Sequence, residues 1–188
     1  MSFDSILQAF SKNRLGGEPV PNDLKLLLGN ADELFERAFL ELNGKEGWAP
    51  WLDSSYLRPE ERVKPDIVAN LRAIAEVCRQ IAFVGAYEDD QYLGYWRGPT
   101  GRKVADSPIV FFDNEGQFEL VPGSNLAEAI LWAAGEGERF IELRDWMRSI
   151  DIDIRCDSPD ELSSPEDPDP PGQLHNRLFA EFLMRNRR

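Results

Sequence analysis

Tyr87 to Pro99, YEDDQYLGYWRGP, sets three consecutive carboxylates, Glu88, Asp89 and Asp90, beside Tyr92, Trp96 and Arg97. Clustered carboxyl groups could bind a hard cation, because calcium and magnesium take several oxygen ligands, or could serve glycoside hydrolysis, which uses a carboxyl pair. Consecutive placement opposes both uses. A calcium loop spreads its ligands over about a dozen residues, and adjacent side chains at a turn diverge. DNEGQ, Asp113 to Gln117, is a second acidic turn of the same kind. A carboxylate-dependent hydrolase is therefore a weaker reading than a solvated turn or a partner surface.

Other catalytic chemistry lacks its parts. His175 is the single histidine, so any Ser-His-Asp or Cys-His arrangement would have to be built on a residue of the C-terminal helix. No serine sits in a nucleophile-elbow context, and Cys78 falls on the apolar face of an amphipathic segment. Zinc needs three or four Cys, His or carboxylate ligands, and Cys78, Cys156 and His175 have no metal-binding spacing. GPTGRK, Gly98 to Lys103, has too few residues between its glycines for a P-loop, and GEGERF lacks the third glycine and the preceding strand of a dinucleotide site. No catalytic residue, metal or cofactor is expected.

Aromatic residues carry a different signal. Along YLGYWRG, a strand would point Tyr92, Gly94 and Trp96 one way and Leu93, Tyr95 and Arg97 the other. Tyr, Trp and Arg are enriched at interface hot spots. One reading makes Glu88, Asp89, Asp90, Tyr92, Trp96 and Arg97 part of an outward docking face. In the other, helices cover both faces and the aromatics are architecture.

The 188 residues carry a net charge of -13 with a pI near 4.5. That balance opposes nucleic-acid binding, which needs a basic face, and favours a basic protein partner drawn in by electrostatic steering. No segment approaches the roughly 20 apolar residues of a membrane span, the N-terminal stretch has no basic leader, and the two cysteines read as free thiols. A cytoplasmic location is expected.

The elements that must position these residues follow from periodicity. Phe3, Ile6, Leu7 and Phe10 mark a first amphipathic helix, and NDLKLLLGN a compact second one stopped by Gly29. Asn30 and Glu33 have capping-box spacing at the head of a third, with Leu34, Phe35, Ala38, Phe39 and Leu42 expected inward and Gly44 as its end. The loop holding Trp48, Trp51 and Tyr56 is expected to fold back and pack. Pro65 opens the clearest helix, which runs to Cys78.

After Gln80 the period changes to two: IAFVGAY with YLGYWRG, then SPIVFFD with QFELVPG, form two hairpins. Asn125 and Glu128 start a helix with Leu126, Ala129, Ile130 and Ala133 on one face, and Phe140 to Ile150 continue as another. The fold class is α+β, an antiparallel sheet built from two hairpins and flanked by helices. Residues 1–156 are expected to form one domain, 157–173 an acidic Pro-rich linker, and 174–188 an amphipathic helix whose terminal arginines complement its dipole.

The order EPVPNDLKLLLGN, YLGYWRGP and SPIVFFDNEGQFELVPGSNLAEAILWAA resembles the SUKH superfamily, the Smi/Knr-like domain, over roughly Pro19 to Ala134. The proline-led short helix, the Gly- and aromatic-rich strand, the hydrophobic strand entering an Asp-x-x-Gly turn (Phe112 to Gly116) and the helix after it carry the likeness. The stretch from Ala31 to Arg79 is longer and more helical than the minimal domain, and the tail from Gly135 is additional. The resemblance implies a non-enzymatic α+β binding domain. Bacterial members look like immunity proteins that neutralise a cognate toxin, often a nuclease, and fungal relatives look like regulatory modules. Both an immunity protein with a basic toxin partner and a scaffold with an endogenous partner are consistent with the acidic charge.

Overall fold

Ser2 accepts a hydrogen bond from the Ser5 amide (3.3 Å) and so caps helix α1 (Phe3–Asn13) in a computed structural model that describes residues 2–186. After α2 (Asn22–Gly29) comes α3 (Ala31–Ala38), which differs from the sequence expectation at both ends. The Asn30 amide donates backward to the Leu26 carbonyl (2.9 Å) and makes no cap, while Glu33 pairs with Arg37. The helix stops at Ala38 because Phe39 turns left-handed (φ 56°), which sends Leu40–Leu42 into a strand, β1. Leu40 is thereby fully buried, whereas Phe35 and Phe39, expected inward, are 41% and 48% exposed.

The loop that follows packs in part as expected. Trp51 lies 4.1 Å from the Phe83 ring and Trp48 meets it edge-on, but Tyr56 stands in solvent. Helix α4 (Pro65–Cys78) buries Ala69, Ala73, Ile74, Val77 and Cys78. Strands β2 (Ile81–Tyr87), β3 (Tyr92–Trp96), β4 (Ile109–Phe112) and β5 (Phe118–Leu120) are the two expected hairpins, and with β1 they make a five-stranded antiparallel meander in the order β1-β2-β3-β4-β5. Helices α5 (Leu126–Ala134), α6 (Glu138–Ser149) and α7 (Pro171–Asn186) complete the chain. Helix α7 starts three residues before the expected Leu174. Of the arginines expected to complement its dipole, Arg185 lies in its last turn, while Arg187 and Arg188 fall outside the described residues.

Strand alternation sorts the sheet into two apolar layers, both covered. Ala82, Val84, Leu93, Tyr95, Ile109 and Phe111 meet α1, α2, α3, α5 and α6; Ile81, Phe83, Tyr92, Trp96, Val110 and Phe112 meet α4, α7 and the Trp48–Trp51 loop. An irregularity between Phe83 and Gly85 shifts the β2–β3 register by one residue, so that Ala86 faces the second layer and Tyr87 the first. Gly94 lies opposite Phe83, and a Cβ there would sit 2.8 Å from the Ala82 carbonyl oxygen and the Phe83 Cα.

The acidic Pro-rich segment is not loose. Leu162 is buried in the first layer, as are Ile152, Ile154 and Cys156 just ahead of the segment, and the Asp167 carboxylate, 2% exposed, accepts from Arg102 at 2.7 Å. The expected linker over 157–173 is thus a strap tied to the rest of the fold at Leu162, at the Ser163 carbonyl, which accepts from the Gly123 amide (3.0 Å), and at Asp167, and α7 packs on α4 and β5.

Asp23 joins the first-layer helices. Its Oδ2 accepts from the Leu126 amide (2.9 Å) and the Ala127 amide (3.3 Å), while Asn125 accepts from the Glu128 amide (2.9 Å), so the first three amides of α5 are satisfied. Burial raises the Asp23 pKa above the ordinary carboxylate range, against the lowering effect of those amides. A carboxyl group whose folded pKa is raised contributes most below its unfolded value and loses that contribution as pH rises through the folded one.

Two outcomes are expected from chemical denaturation. Gly94→Ala should lose about 1–3 kcal/mol, since the methyl meets backbone that cannot move aside. Asp23→Ala should lose about 1–2 kcal/mol at neutral pH, the usual cost of a lost cap. Asp23→Asn should lose less, because its amide oxygen can still accept. Relative to Asp23→Asn, the natural protein should gain stability as pH falls from 7 towards 4; a pH-independent difference would show that the charge plays no part.

An acidic aromatic groove as the candidate functional site

Backbone hydrogen bonds from Tyr87 N to Gln91 O (2.8 Å) and from Asp90 N to Tyr87 O (3.2 Å) close the β2–β3 turn, with Asp90 left-handed (φ 60°), a conformation short polar side chains tolerate. Glu88, Asp89 and Asp90 are all exposed on it. The Asn114 amide donates to the Asp89 carbonyl (3.3 Å) and ties this tip to the β4–β5 turn. That second turn is ordered by Asp113, whose Oδ1 accepts from the Glu115 and Gln117 amides (3.0 and 2.8 Å). The DNEGQ carboxylate is thus engaged in building the turn.

The remaining residues expected on a docking face are turned inward. Tyr92 is 7% exposed and Trp96 fully buried, because Trp48, Trp51, α4 and α7 cover that face of β3. Arg97 is spent on internal partners: it pairs with Glu18 and donates through Nε to the Arg102 carbonyl (2.8 Å), while Glu18 also accepts from the Val104 amide (2.8 Å). The six residues do not form one surface. Both faces are architecture, and only the acidic turn remains outside.

That turn nevertheless borders a groove of about 270 Å³ where the β1 edge meets the tryptophan loop. Phe35, Glu41, Trp48, Pro50, Glu88, Asp90 and Tyr92 are among the residues that line it. The loop is anchored: the Arg14 guanidinium lies 5.1 Å from the Trp48 ring centroid and donates to the Trp48 carbonyl (2.8 Å), and the Asn13 amide donates to the Gly44 carbonyl (2.9 Å). Among the described residues, neither Glu41, Glu88 nor Asp90 takes part in an ion pair. Burial, with the nearby Asp90 and Asp53 charges adding to it, pushes the Tyr92 phenol pKa up and keeps it protonated.

Unpaired carboxylates beside aromatic rings suit a cation. A lysine or arginine side chain entering the groove would find Glu88, Asp90 and the Trp48 ring in its lining. Phe35, Glu41, Trp48 and Pro50 escaped the sequence reading because Phe35 was placed inward on a helix and Glu41 in its continuation. The alternation Leu40, Glu41, Leu42 was the one signal that could have shown an exposed carboxylate on a strand.

Groups with catalytic potential elsewhere are muted. Cys78 and Cys156 are buried and burial raises both thiol pKa values, so neither is poised as a thiolate. Among the described residues no group of three His, Cys, Asp or Glu could hold a metal ion. His175 sits between α7 and α4, its Nε2 3.0 Å from Asn70 Oδ1 and its ring near Phe118 and Phe179. Burial lowers its pKa. The stability this neutral imidazole contributes is present above the unfolded value of about 6.5 and is lost as pH falls through the depressed folded value. Between pH 7.5 and 5.5 the natural protein should therefore lose stability relative to His175→Gln in thermal melts; parallel pH profiles would contradict this placement.

No family model matches the chain, and no curated protein or solved structure matches it.

Proposed function

We propose that this chain is a non-enzymatic, cytoplasmic protein-binding domain of the immunity type, which neutralises a basic toxin domain by docking it at the acidic aromatic groove. The observation that carries the reading is the set of unpaired carboxylates, Glu41, Glu88 and Asp90, rimming an aromatic trough on a chain of net charge -13. A basic toxin surface, such as one that engages phosphate, complements that rim and would be steered to it at low salt. The resemblance of Pro19 to Ala134 to the SUKH superfamily supports the same class of function. So does an α+β fold with the sheet covered on both faces, which leaves edges and loops for recognition. No helix among the described residues is long and apolar enough to cross a membrane, consistent with a partner met in the aqueous phase.

Co-expression with the toxin-like domain encoded beside it tests the proposal. The natural protein should restore growth and form a complex whose affinity falls with salt. Glu88→Lys combined with Asp90→Lys should weaken that complex at least about tenfold, chiefly through slower association, with circular dichroism unchanged. Restored growth with undiminished affinity in the double variant would move the interface elsewhere, and failure to bind any neighbouring toxin-like domain would defeat the proposal.

A further inference from the structure

A concavity of about 880 Å³ lies away from the acidic groove, between α1 and α2. Leu7, Gln8, Ser11 and Lys12 fall at i, i+1, i+4 and i+5 and present one stripe of α1, Val20 supplies apolar surface from the connection, and Lys25 contributes from α2. Leu7 and Val20 are only half-buried although both pack against the core, so apolar surface is left for a ligand. The corner is rigid: the Ser11 hydroxyl donates to the Glu18 carbonyl (2.8 Å), and the Gly17 amide donates to the Ser11 carbonyl (2.8 Å).

Charge says what the groove fits. Every ion pair among the described residues is made by an arginine and none by a lysine. Lys12 and Lys25 are exposed, have no carboxylate partner among the described residues and line the same trough. With a net charge of -13 the molecule repels acids at long range, so two free ammonium groups beside an apolar strip form a local exception that acts at contact distance. The trough is too open to enclose a small molecule, which generally needs most of its surface covered, and its lining by one stripe of α1 with Lys25 of α2 suits a helix laid alongside.

We propose that the α1–α2 groove docks an amphipathic helix of a partner, its apolar stripe over Leu7 and Val20 and its flanking carboxylates on Lys12 and Lys25. This site is separate from the acidic groove and stands without the immunity reading. The test uses fluorescence anisotropy with a labelled helical peptide of about 18 residues. Leucines at i, i+3, i+4 and i+7 form its stripe, glutamates flank them, and control peptides carry Gln or Lys in place of Glu.

The glutamate peptide should bind the full chain and should bind Lys12→Glu/Lys25→Glu about tenfold or more weaker, as expected for losing two contacts and adding repulsion. Glu88→Lys/Asp90→Lys should bind it no more weakly than the natural protein, which separates this groove from the acidic one. Should the lysine reversal unfold the protein, Lys12→Gln/Lys25→Gln provides the same comparison with a smaller loss. Equal affinity for the Glu and Lys peptides, insensitivity to both lysine variants, or no binding of the glutamate peptide would overturn the proposal.

Discussion

Covering a sheet on both faces constrains everything else in this protein. A meander buried on both sides must be apolar at nearly every position of its central strands, and β3 and β4 are buried throughout. Such strands have few side chains to spare for a ligand, and Tyr92 at the start of β3 is the one that reaches the acidic groove. Within the sheet, Gly94 lets β2 approach β3 at a distance no Cβ could tolerate. Exposed polar groups are thereby left to the turns, the β1 edge and the helix grooves. The acidic groove is the clearest case, since the loop whose Trp51 seals Phe83 and Tyr92 also brings Trp48 and Pro50 beside Glu88 and Asp90.

How much of this was legible depends on the range of the forces involved. The helix from Pro65 to Cys78, the two hairpins and the start at Asn125 are specified locally, by 3.6- or 2-residue periodicity and by caps, and they form where those signals place them. The third helix misleads for an equally clear reason. Phe35, Ala38, Phe39 and Leu42 fit a helical stripe, and nothing local marks Phe39 as the residue that turns left-handed. Pairing Leu40–Leu42 with Tyr87, Ala86 and Gly85, across more than forty residues, decides the matter. Composition concealed the lead into the strap similarly: Ile152, Ile154 and Cys156, just ahead of it, alternate as an extended, half-buried segment should, but they stand among Asp and Arg.

The candidate site was legible only in its polar half. Alternation separated Tyr92 and Trp96 from Leu93 and Tyr95 correctly, yet which face is covered depends on α4, α7 and the tryptophan loop, none of which is local to β3. The acidic turn stays outside because neighbouring carboxylates are costly to bury without cations. Its aromatic companions come from segments about forty residues upstream, brought there by the Arg14 and Asn13 contacts with the loop backbone.

The distribution of cations links folding to recognition. Arg97 binds Glu18 and Arg102 binds Asp167, so these two pairs fasten the connection after α1, the β3–β4 connection and the strap to one another, with Asp167 almost wholly buried. Other arginines are occupied in short-range pairs, as Arg37 is with Glu33 and Arg148 with Asp157. Cations used this way do not neutralise the β2–β3 turn or Glu41, so this rim is one of the places where the fold leaves acid uncompensated. Self-repulsion of that kind slightly opposes the compact state. A basic partner would relieve it, so that binding at this rim would also stabilise the fold that presents it.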